Sequence, residues 1–184
     1  MNAIFNNPDK QVGLSMSEVL VTLVILMVGL LGLAGLQMQG LRSEMESYQR
    51  VQALILLQDM AGRINANRVN AAAYLGNGTI GTGDNELADC TTLAAGKPRD
   101  ICEWSNALKG SGETTSGSSP VGAMIGGRGC ISQPAANTYQ ISVVWQGLGK
   151  TFAPTDPCGA TLYGAETQRR VVNLTVRVAD LIGP

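Results

Sequence analysis

Gly13–Leu36 reads GLSMSEVLVTLVILMVGLLGLAGL, an apolar run with a single carboxylate, Glu18, near its start. From Val19 to Leu36 there are eighteen residues without a charge, which as a helix rise about 27 Å against the ~30 Å of a bilayer's hydrocarbon. The stretch reads as a membrane segment. An ionised side chain inside such a helix costs about 2.5–3.5 kcal/mol on insertion scales, so Glu18 needs a counter-charge or a role. Cleavage after Gly13 would supply a partner, because it creates a free amine on Leu14, four residues before Glu18.

Beyond this run, 184 residues with 45% hydrophobic content are enough to fill the core of one domain. The net charge of −1 implies no basic face, so nucleic-acid contact is not expected. The chain has no histidine, which removes the commonest general base and metal ligand along with every Ser-His or Cys-His constellation. No catalytic residue, metal site or cofactor is expected.

The four cysteines, Cys90, Cys102, Cys130 and Cys158, are separated by eleven, twenty-seven and twenty-seven residues and form no CxxC pair. Zinc or thioredoxin-type chemistry is therefore disfavoured. An even number beyond a membrane segment reads as two disulfides in an oxidising compartment. Three pairings are open; loop-closure entropy favours Cys90–Cys102 with Cys130–Cys158, since near neighbours close most easily.

The helix is expected to continue past Leu36. Met38, Leu41, Met45, Tyr48 and Ile55, then Leu54, Leu57, Ala61 and Ile64, recur at three- and four-residue spacings, with Arg42, Glu44, Glu46, Arg50, Asp59 and Arg63 between them. This predicts an amphipathic helix to about Asn70, far longer than a bilayer needs, whose outer half lies against a domain. Gly29, Gly32, Gly35 and Gly40 lower helix propensity but let neighbouring helices approach closely.

From Ala71 to about Thr138 the chain is rich in Gly, Thr, Asn and Ser, with one short helix. Asp100 is its cap-like residue, and Ile101, Trp104 and Leu108 its apolar stripe, with Trp104 as a packing anchor. The stretch GSGETTSGSSP, Gly110–Pro120, reads as a surface loop. Tyr139, Ile141, Val143 and Trp145 alternate with Gln140, Ser142 and Gln146, and Val172, Leu174, Val176 and Val178 alternate with Asn173, Thr175 and Arg177. These patterns predict two strands with one apolar face each, and the amphipathic helix is the surface available to cover them. Val121–Ile131 and Thr161–Tyr163 are weaker strand candidates. Gly147–Arg169 would be a connection stapled through Cys158.

Other motifs weigh little. Gly76–Gly81 spells GxGxxG but comes after a helix and opens none, so phosphate-cradling geometry is missing. Asn77-Gly78-Thr79 and Asn173-Leu174-Thr175 fit the glycosylation sequon, a pattern common by chance. The carboxylate pairs Glu44/Glu46 and Asp84/Glu86 read as solvated faces, and Asp84-Asn85-Glu86 with Asp89 is only a fragment of a calcium loop.

Gly13, an apolar residue, three further residues, Glu18 and a long aliphatic run together resemble the processing signal of type IV pilins and pseudopilins. The resemblance implies that prepilin peptidase cuts between Gly13 and Leu14 and methylates the new N-terminus. It also implies that Glu18 meets a neighbouring subunit's amine during assembly. Further stretches are similar to the PilV-like minor pilins, also called type IV pilus modification proteins. These are EVLVTLVIL at Glu18–Leu26, the Trp104–Leu108 helix before a Gly/Ser loop, RGCI at Arg128–Ile131, YQISVVWQG at Tyr139–Gly147, and Cys158-Gly159 with YGxExxRRVV after it at Tyr163–Val172.

The fold so implied is α+β, the type IV pilin fold, with a long N-terminal helix packed on an antiparallel sheet. Its parts would be a class III leader at 1–13, a transmembrane half of the helix at 14–36, an amphipathic half at 37–70, an αβ-loop region at 71–138, and a disulfide-stapled sheet region at 139–184. The implied function is that of a minor pilin priming pilus assembly near the tip, in support of twitching motility, adhesion and DNA uptake. Its partners would be other minor pilins, the major pilin, a tip adhesin, the peptidase and the inner-membrane assembly platform. It would start as a single-pass inner-membrane protein with a periplasmic C-terminal domain and end in the fibre of a Gram-negative bacterium.

The positive-inside count, Lys10 before the span and Arg42 and Arg50 after it, does not favour this orientation; the disulfides and the resemblance do. The alternative is a type II secretion minor pseudopilin, which shares the signal and helix. A secretory signal cleaved before Gly35 is disfavoured by the length of the apolar run and by Glu18.

Overall fold

The computed structural model describes Gly13 and residues 15–111 and 124–179. The expected leader before Gly13, the expected methylation site Leu14 and most of the Gly/Ser stretch lie outside the described residues. The chain divides into two compact units, one up to Ser43 and one from Glu44 onward, and the first helix, α1 (Met16–Ala66), contributes residues to both.

In the first unit α1 carries the apolar run. Val19 to Leu36 is helical throughout, and its large apolar side chains are all exposed. Leu, Val, Ile and Met dominate it, so the backbone is satisfied within the helix while the side chains have no partner. Thr22, the one hydroxyl in the run, donates to the Val19 carbonyl at 2.9 Å, which removes its need for an outside acceptor.

The second unit is an α+β layer. The rest of α1 packs on a four-stranded antiparallel sheet, ordered β1-β2-β3-β4 and composed of β1 (Ile80–Gly81), β2 (Arg128–Ala135), β3 (Thr138–Gln146) and β4 (Arg169–Arg177). A second helix, α2 (Lys97–Leu108), joins the same core. On α1 the buried positions are Gln49, Ala53, Leu57, Met60, Ala61 and Ile64. The sequence pattern also implicated Met45, Tyr48, Leu54 and Ile55, but these are exposed. This part of α1 is apolar on two sides, and the sheet takes the side where Ala53 and Ala61 permit close approach.

α1 stops before the expected Asn70. A 3-10 helix, Arg68–Tyr74, comes next, with Asn70 outside helical backbone geometry (φ −111°). The Asn70 N–H donates to the Asn67 carbonyl at 2.9 Å, the tighter i→i−3 bond of a 3-10 turn, and the two side chains bond to each other at 3.0 Å. α2 begins three residues earlier than Asp100: Gly96 is the N-cap, and Pro98 fills the first turn, where it has no N–H to waste. Asp100 lies inside that turn, where its side chain meets Arg63 and Tyr74 instead of capping the helix.

The alternation in β3 places Tyr139, Ile141, Val143 and Trp145 in the core shared with α1. The opposite face is not solvated as expected, because Ser142 and Val144 are buried too. The 147–168 connection folds over that face, and Cys158, Tyr163 and Val144 form a second apolar cluster there. Thr161–Tyr163, a strand candidate, is a turn with Thr161 at φ 66°. Of the Val121–Ile131 candidate, Arg128–Ile131 opens β2, while 121–123 lie outside the described residues.

Candidate functional site

At the start of α1, Ser15 and Glu18 form one half of a capping box. The Glu18 carboxylate reaches back one turn to accept the Ser15 backbone N–H at 3.1 Å, while the Glu18 N–H donates to the Ser15 carbonyl at 3.0 Å. Ser15 and Ser17 hydroxyls lie 2.8 Å apart. A negative charge in the first turn also complements the helix dipole. Glu18 is therefore held at the start of α1, on an exposed surface. Past Glu18 the helix is apolar over a length able to cross a membrane, and its large apolar side chains from Val19 to Leu36 are exposed. Such a surface is stable only in lipid or against other apolar helices. Gly29, Gly32, Gly35 and Gly40 have no neighbour that a Cβ would meet, leaving shallow sites for another helix to approach.

The second unit presents a platform braced by disulfides, buried side chains and ion pairs. Cys90 is bonded to Cys102 and Cys130 to Cys158, the near-neighbour arrangement among the three possible. The first bond ties the 81–96 loop to α2; the second ties the 147–168 connection to β2. Trp104 is fully buried, and its indole N–H donates to the Leu56 carbonyl of α1 at 2.9 Å, fastening α2 to the long helix.

Several charged residues that the sequence left as solvated are fasteners. Glu46 Oε1 accepts from Arg170 at 3.1 Å and from the backbone N–H of Leu148 and Gly149 at 3.1 and 3.3 Å, pinning the start of the connection to α1. Asp84 accepts from Gly81 N–H at 2.6 Å and Ser105 Oγ at 2.7 Å, and also pairs with Lys109. Burial alone would raise its pKa, but these donors outweigh it and hold the carboxyl below its ordinary value. With its oxygens so engaged, Asp84 is poorly placed to ligate a cation.

Asp156 accepts from Gln140 at 3.0 Å, Ser142 at 2.7 Å and Cys158 N–H at 2.8 Å, and it too is held low despite burial. Asp100 bridges Tyr74 and Arg63, and Arg63 also binds Asp59 at 2.9 Å and Glu103 at 2.6 Å. Burial together with the Asp100 carboxylate pushes the Tyr74 phenol up to about 12.

Arg169 is the residue that sequence reasoning missed altogether. It is buried, paired with Glu166 at 2.7 Å, and donates to the carbonyls of Asp156, Cys158 and Pro154 at 2.7, 2.9 and 3.2 Å. One guanidinium thereby satisfies three backbone acceptors of an otherwise irregular loop. The adjacent Arg169-Arg170 pair was the available signal, and nothing in a single sequence says that one of them points inward.

Residues 35–105, from within the apolar run to the middle of α2, match a family model described as type IV pilin Tt1218. No curated protein and no solved structure matches the chain. The match leaves out Gly13 and Glu18, so it is independent of the processing signal. The α+β architecture agrees with the type IV pilin fold, and the matched stretch, less than half of the chain, is similar to a type IV pilin.

Proposed function

We propose that this chain is a minor pilin of the type IV pilus, processed between Gly13 and Leu14 and built into the fibre through the apolar half of α1. The observation that carries the reading is a single helix of two characters. Its first part is a bare apolar rod with one carboxylate at its mouth; its second part is docked on a disulfide-stapled sheet. A rod of this kind can leave lipid only for a bundle of similar rods, and Glu18 gives that bundle a register by meeting an amine. Buried ion pairs serve specificity in this way even when their net stability is small. No catalysis is assigned to the chain, which acts as substrate of the prepilin peptidase.

In this reading the subunit joins other minor pilins and the major pilin near the tip, beneath an adhesin, after residence in the inner membrane with its C-terminal unit in the periplasm. Motility, adhesion and DNA uptake would result from the fibre. The test is recovery in sheared fibres. The wild-type chain should be present with a methylated Leu14 as its first residue, and Glu18→Ala should remain in the membrane fraction. A mature chain that begins at Met1 or Gly35 would reject the proposal.

A further inference from the structure

The sheet treats its two edges differently. On one side β1 is only two residues long, and the uncovered end of β2 carries Pro134 and a register shift between Ser132 and Ala135. Short strands, proline and bulges are the devices that stop an edge from pairing with another chain. On the other side β4 runs nine residues in unbroken register with β3, from Gln146↔Arg169 to Thr138↔Arg177, without proline or bulge.

Hydrogen bonds at both ends of this ladder, Gly147 N–H to Gln168 at 2.8 Å and Val178 N–H to Asn137 at 2.8 Å, set its phase. In an antiparallel pair the bonded positions alternate, so Arg170, Val172, Leu174 and Val176 turn their backbone groups toward β3. Arg169, Val171, Asn173, Thr175 and Arg177 turn theirs away from it. At the start of the strand the Arg169 N–H donates to the Glu166 carbonyl. From Val171 to Arg177, no segment among the described residues hydrogen-bonds to the outward backbone groups. Val172, Leu174 and Val176 pack on the core yet stay half-buried, so the apolar row is open along the same edge.

We propose that the β4 edge is a strand-accepting surface, completed by an extended segment of a different polypeptide. A second copy of this chain is the poorer occupant. Its β4, Arg169–Arg177, reads RRVVNLTVR and has no carboxylate to set opposite Arg177 of another copy, so antiparallel pairing of two β4 strands leaves that charge unmatched. The fitting segment alternates. It has apolar side chains opposite Val172, Leu174 and Val176, continuing the core row, and an Asp or Glu opposite Arg177, which pairs with no carboxylate among the described residues. Main-chain bonds supply affinity in this mode of recognition, and alternate side chains supply specificity. The inference stands on the sheet alone, so its failure would leave the assembly reading intact, and a chain excluded from fibres would still carry the edge.

The full-length chain, in cells that produce it, is tested by placing the photocrosslinker p-benzoylphenylalanine at Asn173 or at Thr175 and mapping the adducts by mass spectrometry. The two probes should mark positions two residues apart in one contiguous segment of a different protein, with a carboxylate at the position facing Arg177. With the probe at Asn173, Thr175→Pro should lower the yield about tenfold, because it deletes one outward N–H and leaves the partner's acceptor unpaired. Thr175→Val, which keeps the N–H, should leave the yield unchanged. Both variants must retain the two disulfides, since position 175 makes no backbone bond to β3. The proposal is overturned by adducts to lipid, to a second copy or to residues 112–123 of the same chain, by no adduct at all, or by a yield indifferent to proline.

Discussion

Under the proposed function, Glu18 serves two states with one side chain. In the isolated subunit its carboxylate is satisfied by the Ser15 amide, which lessens the cost of keeping a charge near lipid. In the proposed fibre an amine replaces that amide. Glu18→Ala should therefore leave the second unit folded, as judged by an unchanged melting temperature, while incorporation into sheared fibres falls. Normal recovery would discard the role. Gly129 poses a packing problem at the same scale: a Cβ there would sit 2.1 Å from the Trp104 ring, itself wedged between α1 and the sheet. Gly129→Ala should destabilise the second unit by about 1–3 kcal/mol, measured by denaturant unfolding, because a rigid indole cannot yield.

Asp156 adds a pH dependence. Its folded pKa lies below the unfolded value near 3.8, so its contribution is present in full above that value and is lost as pH falls through the folded pKa. Acid unfolding of Asp156→Asn should be flatter than that of wild type below about pH 4.

Among the elements, α1 and the 147–168 connection carry the fold. α1 has apolar side chains on more than one side, and which of them it buries depends on the sheet. The connection has almost no regular structure, and it is held by Arg169 inside, Glu46 at its start and the Cys130–Cys158 bond. Removing Arg169 leaves the buried Cys158 carbonyl and the half-buried Asp156 and Pro154 carbonyls without their donor, and an unsatisfied buried polar group costs about 1–3 kcal/mol. Arg169→Met is expected to lower stability by that order and to raise amide exchange across 152–168, whereas Arg177→Met, at an exposed position of the same strand, should do neither. Similar exchange in the two variants would show that Arg169 does not organise the loop.

For the whole molecule, two environments are implied: an apolar one for the first unit and an oxidising, aqueous one for the second. Each disulfide is worth about 2–4 kcal/mol by constraining the unfolded chain. Reduction should thus lower the unfolding midpoint of the second unit while leaving the membrane association of α1 unaltered. Differential scanning calorimetry and flotation, with and without reductant, measure the two effects separately. Loss of membrane association on reduction would contradict the division.

The apolar run, its lone carboxylate, the core faces of β3 and β4 and the α2 anchor Trp104 were all legible in the sequence. Each is a local pattern: a period of two or 3.6, or a stretch too apolar for water. The true end of α1, the side it buries, the burial of β3 on both faces and the inward turn of Arg169 were not legible. Those depend on which surfaces meet. Solvation sets the first kind of feature along the chain, whereas the second is chosen by packing and by hydrogen-bond partners distant in sequence, as when Glu46 meets Arg170 and Asp156 meets Ser142.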